Sequence, residues 1–444
     1  MPALAFVRLA LSLACALGAR AQLSGSVGPK TSLSEKSNLC NVLDYGGSIG
    51  SSDIGPAIQS AFDDCVLTNS SASTLYVPSG DYDIQTWVML SGGTKWAFRL
   101  DGLITRASTT TGNMIAIENA EDFEFYSANS AGGIQRLGYE CRNDGLRLIR
   151  MVTSTYWSLH DLILVDSPEF HLVIQEGSSG EVYNLAIRGA DIGGSDGVDV
   201  WGDNYWIHDV EVTNRDECVT VKSPASNILV EQIWCNQSGG SAMGSLSAVN
   251  TSITNIIYRY VYTVGGNQAY MIKGNGGSGT VSNVVFENFI SRDTAYGLNI
   301  NEYWASISPL DGLGVTLENI TFQSWDGNVA DGVERSPIQI ICADEAPCYD
   351  ITLTDVYMWS LTDEATMKCE SAFGSGACLK SGSSHTSYAV ETTSYTQPSG
   401  YSTPTTMAGD LTAGFGSTTL IPTPTIPTTF YPGRAQISPL MKNK

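Results

Sequence analysis

The sequence predicts an all-β solenoid, a single stack of coils with a helical cap at its N-terminal end. Three observations lead there. One polar residue followed by alternating apolar positions recurs as Asp122-Phe123-Glu124-Phe125, Asp161-Leu162-Ile163-Leu164, Asn184-Leu185-Ala186-Ile187, Asp209-Val210-Glu211-Val212, Gln232-Ile233-Trp234-Cys235, Tyr260-Val261-Tyr262, Asn288-Phe289-Ile290, Asn319-Ile320-Thr321-Phe322 and Asp355-Val356-Tyr357-Met358. From 161 to 288 the phrase returns after 23, 25, 23, 28 and 28 residues, a period in which each coil buries its apolar face only by stacking on its neighbours. Turn signals such as Gly193-Gly194, Asn236, Gly239-Gly240 and Gly265-Gly266-Asn267 fall between the phrases, where the chain must turn corners.

Each element follows in order. Residues 1–21 join an apolar stretch, Leu9 to Leu17, to Ala19-Arg20-Ala21, the small-x-small pattern of a secretory cleavage site. The mature chain then starts near Gln22. Ile54, Ile58, Phe62 and Cys65 line one helical face, and this is the expected cap. The period-2 phrases, filled with β-branched and aromatic residues, carry the solenoid to about Lys380. Composition shifts there: residues 381–444 begin with a run rich in Ser, Thr, Tyr and Pro, expected either as an extended, O-glycosylated tail or as a strip lying against the solenoid.

A secreted destination suits the cysteines. Proximity pairs Cys40 with Cys65, Cys218 with Cys235, Cys342 with Cys348 and Cys369 with Cys378, leaving Cys141 over, although sequence alone leaves connectivity open. Asn69, Asn236, Asn250 and Asn319 each begin an Asn-x-Ser/Thr acceptor. No later stretch reaches the roughly 18 apolar residues of a membrane span. The formal net charge of -22 speaks against a nucleic-acid partner held by a basic surface. An anionic partner would need local cations or an acidic working pH, and Arg188, Arg215, Lys222 and Lys273 stand beside the acidic clusters as candidate clamps.

The chemistry centres on Ser195-Asp196-Gly197-Val198-Asp199 and Arg215-Asp216-Glu217-Cys218-Val219. Asp196 and Glu217 lie 21 residues apart, about one coil, so their carboxylates fall side by side. Glycosidic cleavage needs one carboxylic acid to protonate the departing oxygen and one carboxylate to activate water. Like charges in one cluster raise at least one pKa and keep an acid protonated. Asp199 reads as structural, within the solenoid wall. His160, His171, His208 and His385 show no metal spacing and also read as structural. Neither a metal nor a cofactor is expected; the glycine-rich run from Gly274 lacks the Lys-Ser/Thr ending of a phosphate loop.

In order and spacing, Ser167-Pro168-Glu169-Phe170-His171, Gly194-Ser195-Asp196-Gly197-Val198-Asp199, Arg215-Asp216-Glu217-Cys218-Val219, Ser238-Gly239-Gly240 and Met271-Ile272-Lys273 resemble the pectin-degrading glycoside hydrolases of the polygalacturonase and rhamnogalacturonase type. That resemblance runs from about Cys40 to Cys378. It implies a right-handed parallel β-helix and hydrolysis with inversion. Where polygalacturonases carry Asn-Thr-Asp, Asp-Asp, Gly-His-Gly and Arg-Ile-Lys, this chain has Gly194-Ser195-Asp196, Asp216-Glu217, Ser238-Gly239-Gly240 and Met271-Ile272-Lys273. Replacing an Arg with Met271 exchanges a bidentate carboxylate ligand for apolar surface, which suits a methyl-bearing rhamnose. The pattern is most similar to the fungal rhamnogalacturonan hydrolases. It implies Asp216 as general acid, Asp196 and Glu217 as the pair that holds and deprotonates water, and Lys273 as ligand of a galacturonate carboxylate. Tyr303 resembles a family position near the substrate, and Lys222 and Arg215 complete the expected substrate contacts. The expected product is a secreted, monomeric endo-hydrolase of pectin. A polygalacturonase or exo-acting enzyme, a non-catalytic polysaccharide-binding solenoid and a calcium-assisted lyase are the alternatives.

Overall fold

The structure, a computed structural model, describes residues 23–404 apart from 130, 139–140, 142–145, 191–192, 247–248, 331–334 and 363. The expected secretory segment and the tail beyond 404 therefore lie outside the described residues. Within them, 25 strands join one continuous sheet wound as a right-handed parallel β-helix. Neighbouring strands pair in parallel, and the one antiparallel pairing among them joins Ala365–Glu370 to Glu391–Tyr395.

Corner geometry explains the repeating phrase. Asp161, Asn184, Asp209, Gln232, Tyr260, Asn288, Ser324 and Asp355 follow one another through the strand register, and all adopt the left-handed conformation that lets a strand turn without breaking its ladder. Asn and Asp tolerate that region better than most residues. A second such column runs through Asp122, Tyr156, Ser179, Asn204, Asn227, Asn255, Asn283, Asn319 and Asp350. Asp122 and Asn319, which the sequence reading places with the first set, belong to this second corner. Both corners require the same backbone and the same period-2 strand afterwards, so their local sequences look alike. Side-chain amides bond along the second column, Asn255 Nδ2 donating to Asn227 Oδ1 (3.2 Å) and Asn319 Nδ2 to Asn283 Oδ1 (2.7 Å).

Inward side chains stack coil on coil. Leu172, Val198 and Val219 are in register, as are Val200, Val221, Met243, Ile272 and Ile300, all buried. Aromatic rings stack the same way, Phe98 on Phe125 at 4.5 Å and Phe289 on Trp325 at 4.2 Å between centroids. The cap is helix α1, Gly55–Ala61, with Pro56 in its first turn and Phe62–Val66 continuing as one wider π turn. Ile54, Ile58 and Phe62 are buried over the first coils, while Cys65 is half-buried and forms the expected disulfide with Cys40. The other three pairings match as well, and Cys141 is buried outside any disulfide.

Residues 381–404 do lie against the solenoid. Tyr401 donates its hydroxyl to Asp326 Oδ1 (2.8 Å), and the rings of Tyr395 and Tyr401 pack on Trp359 at 4.9 and 5.7 Å. One acceptor expectation needs correcting. Asn69, Asn250 and Asn319 are exposed, whereas Asn236 is buried with its amide nitrogen out of solvent, because it ends an interior strand in register between Thr213 and Val264.

Candidate active site

One side of the helix carries the acids of the two clusters, Asp196, Asp199, Asp216 and Glu217. Along it run seven strands: β1 (Leu146–Val152), β2 (Leu172–Arg188), β3 (Val198–Thr213), β4 (Glu217–Asn236), β5 (Gly240–Leu246), β6 (Gln268–Gly274) and β7 (Tyr296–Asn301). Strands β2, β3 and β4 continue past this side and turn the corners described above. Asp196 sits in the turn before β3, and Asp216 and Glu217 in the turn that opens β4. Strand register puts these turns one coil apart.

Fixed backbone contacts hold the two turns together. Gly197 N–H donates to the Glu217 carbonyl (2.9 Å), and the Asn214 amide donates to the carbonyls of Ser195 (2.7 Å) and Glu217 (3.0 Å). Ser195 Oγ donates to the Ala190 carbonyl (3.0 Å) and receives the backbone N–H groups of Arg215 (3.3 Å) and Asp216 (3.4 Å). His171 is fully buried. Its Nδ1 lies 2.9 Å from the Asp196 carbonyl and its Nε2 accepts from Ser167 N–H (3.2 Å). Donation to a carbonyl by Nδ1 and acceptance by Nε2 fix a neutral imidazole. Glycine is required at two points. Gly194 takes φ +76° to aim its N–H at Asp216 Oδ2 (2.5 Å), and a Cβ on Gly239 would come within 2.5 Å of the Asp216 carbonyl carbon.

One carboxyl oxygen from each of Asp196, Asp216 and Glu217 lies within 4.8 Å of the other two. Asp196 and Glu217 are buried and Asp216 is half-buried. Burial, then the charge of Glu217, pushes the Asp216 carboxyl up to about 6. Burial, then Asp199 and Asp216, holds Asp196 well above the usual carboxylate range. Like-charge crowding among buried and half-buried carboxyls is the environment that keeps a carboxylic acid protonated near neutrality.

Asp199 belongs with this group rather than to the wall alone. Val198 and Val200 point inward, so the first outward side chain of β3 is Asp199, buried among the other acids with its carboxyl pushed up to about 6 by burial. Lys222 Nζ lies 3.3 Å from Asp199 Oδ1 and 3.4 Å from the Gly244 carbonyl. Lys273, two coils beyond Glu217, reaches Glu217 Oε1. These two lysines are the expected clamps that the fold brings to the acids. Arg215 is exposed at the rim, its carbonyl accepting from Asn267 Nδ2 (3.3 Å). Arg188 is not a clamp: it is buried in an ion pair with Glu211 (2.5 Å), at the end of its strand on the face opposite the core residue Ile187. Tyr303 lies one coil past Lys273, 46% exposed, its hydroxyl accepting from Asp344 N–H (2.8 Å). Beneath it Glu302 is buried, its carboxyl pushed up to about 8 by burial and accepting the N–H groups of Ala343 (3.0 Å) and Val315 (3.2 Å).

Sequence reasoning missed the supporting residues Asn214 and Ser195 and the part taken by His171. The Ser-Pro-x-x-His run was the available signal, since a His fixed next to a turn points to a backbone contact. The acidic trio has a metal-like spacing, and the ammonium groups of Lys273, on Glu217, and of Lys222, on the adjoining Asp199, would repel a cation there.

Comparison with known proteins agrees with this geometry. The sequence profile of the glycosyl hydrolases family 28 matches residues 126–378. A probable rhamnogalacturonase A of Aspergillus niger is 56% identical over 99% of this chain and 98% of its own length. Rhamnogalacturonase A of Aspergillus aculeatus is 54% identical over 94% of this chain and 96% of its own. Among solved structures, the endo-xylogalacturonan hydrolase of Aspergillus tubingensis superposes with a TM-score of 0.63 at 20% identity, covering 76% of this chain and 93% of that one.

Proposed function

The chain belongs to the glycosyl hydrolases family 28, and we propose that it is a secreted hydrolase of the rhamnogalacturonan backbone of pectin, cutting the α-1,2 bond between galacturonic acid and rhamnose inside the chain with inversion. It is a glycoside hydrolase of parallel β-helix fold. The observation that carries the reading is an acid held up to about 6 against carboxyl oxygens within 4.8 Å, on a chain 56% identical to a rhamnogalacturonase over nearly its whole length.

In this mechanism Asp216 is the general acid. Its proton passes to the glycosidic oxygen as the bond to the anomeric carbon breaks. A water held by Asp196 and Glu217 attacks that carbon from the opposite face and gives its proton to whichever of the two is ionised. Two backbone N–H groups, from Gly194 (2.5 Å) and Glu217 (3.0 Å), fix the Asp216 carboxyl and support the carboxylate that proton transfer leaves. Lys273 and Lys222 bind galacturonate carboxylates and, with Arg215, offset the repulsion between an acidic protein and an acidic polymer. Tyr303 offers a ring face to a sugar further along.

The test is digestion at mildly acidic pH of de-acetylated rhamnogalacturonan backbone and, separately, of polygalacturonic acid, followed by analysis of the new ends. Saturated galacturonic acid reducing ends, released as the inverted anomer from the first substrate alone, are the expected result. Cleavage of the second, or unsaturated ends from either, would overturn it.

A further inference from the structure

On the coil of β7 two aromatic side chains meet across the outer face of the site sheet. Tyr296 opens β7, and Trp304 follows its far end at Asn301 by three residues. The backbone of Trp304 is held at that far end, its N–H donating to the Gly274 carbonyl (3.0 Å) and its own carbonyl accepting from Asn275 Nδ2 (3.5 Å). A strand of six residues extends about 17 Å, yet the Tyr296 and Trp304 ring centroids stand 6.2 Å apart in edge contact. Both side chains therefore lean toward each other along β7. They do so outside the coil, since its interior is filled by Leu298 and Ile300 and both rings keep part of their surface in solvent.

The floor bears this out. Met271 on β6 and Asn299 on β7 are paired in register, and each lies between two inward core residues, Tyr270 and Ile272 in one case and Leu298 and Ile300 in the other, so both point outward. Each is nonetheless only 1% exposed. Outward residues of an open cleft would be wetted, whereas these two are roofed. The crossing is also braced, because the Arg335 guanidinium lies 5.0 Å over the Tyr296 ring.

We propose that Tyr296 and Trp304 form a raised sugar-binding step, at which the polymer leaves the floor of the cleft and stacks a sugar on the indole. The assignment rests on the rhamnogalacturonan reading and adds both residues to its substrate contacts. Glu217 opens β4, three strand spacings of ~4.8 Å from β7. A pyranose advances an extended chain by about one such spacing, so about two sugars lie over β5 and β6 before the crossing. A chain cut internally continues past the acids in both directions and so meets these rings. It has no path beneath them, since Met271 and Asn299 show almost no surface there. The indole face is apolar and takes the C–H face of a pyranose, acidic or neutral. A ligand too short to reach the crossing gains nothing from it.

The experiment measures initial rates on alternating galacturonate–rhamnose oligosaccharides of increasing length, with products resolved so that each bond yields its own kcat/KM. In the wild type, a second disaccharide on one particular side of the bond is expected to raise kcat/KM about tenfold over a single one. Trp304→Ala should cancel that gain and leave bonds with a single disaccharide on that side unchanged, whatever the length on the other. Tyr296→Ala, which deprives the indole of its edge contact, should act the same way more weakly, and Trp304→Phe should restore part of the gain. A uniform fall at every bond, or no change at any, overturns the step. A wild type indifferent to length on both sides overturns the stacking. Failure of the parent reading shows separately, as a wild-type protein that leaves the alternating backbone uncut.

Discussion

Two sides of the same solenoid bury acidic residues, and they do so in opposite ways. On one, Glu124 and Asp161 flank His160 at 2.8 and 2.7 Å, and one coil pair further Glu181 and Asp209 flank His208 at 3.1 and 2.7 Å. The rings of Tyr126, His160, Tyr183 and His208 stack between these pairs at 5.5, 4.4 and 5.3 Å. On the other, Asp196, Asp199, Asp216 and Glu217 face one another with Lys222 and Lys273 the only ammonium groups paired with them among the described residues. The fold therefore has the means to match buried carboxylates with donors, and on the site side it leaves them under-matched. Crowded like charges cost stability, and their concentration in one place marks chemistry rather than architecture.

The sharpest way to break this contrast is to neutralise one member on each side. Asp216→Asn removes the proposed acid and a crowded charge together. We expect turnover to fall by at least about 10³-fold with no loss of melting temperature. Retained turnover would end the general-acid role. On the matched side, His160→Ala leaves Glu124 to Lys36 at 3.4 Å and Asp161 to the Asn184 amide. A loss of about 2–3 kcal/mol is expected by denaturant unfolding, with turnover of the folded protein unchanged. Catalytic loss without instability at His160 would reverse the assignment of the two sides.

Acidity gives a third, smaller difference, in its window rather than its direction. Asp199 and Asp216 are held up to about 6, so the folded state binds their protons more tightly than the unfolded chain does. Stability from this source is full below the unfolded value near 4 and is lost as pH rises through about 6. Burial opposes the charge on His160 and His208, but their hydrogen-bonded carboxylates prevail and raise both above the usual histidine range. Their contribution is full below about 6.5 and is lost only as pH rises through the higher folded values. Melting temperature should then fall in two stages from mildly acidic to alkaline pH. Asp199→Asn should flatten the first stage, on the order of 2 kcal/mol, and leave the second. Flattening of both stages would mean that the two sides are one coupled network.

Much of this was legible in the residues because a solenoid repeats its local demands. Asp196, Asp216 and Glu217 fall together since one coil separates their turns, and a spacing of 21 residues shows that directly. Asp122 and Asn319 share the recurring phrase although they sit at the second corner, because both corners ask for a left-handed residue followed by a strand, and nothing local distinguishes them. Arg188 looked like a clamp because it is charged and near the acids in sequence. Only the register shows that it ends an interior strand against Glu211. Asp199 looked structural because counting from Asp196 hides the start of β3 at Val198; counting from Val198 makes it the first outward residue.

Lys273 is where the two patterns meet, a matched partner inside an under-matched cluster, and its removal is the mildest of these tests. Lys273→Met keeps the length of the side chain and deletes its charge. The loss of a carboxylate ligand should raise KM about tenfold and shift melting temperature little, since the side chain lies at a partly open cleft. Its ammonium also draws the Asp216 carboxyl downward, after burial and Glu217 have raised it. Without that pull the acid stays protonated to higher pH, so the alkaline limb of the kcat profile should move up. A KM left unchanged would remove Lys273 from the substrate contacts. A limb that stays in place while KM rises would keep the contact and show that the substrate, rather than the acid, is what this lysine holds.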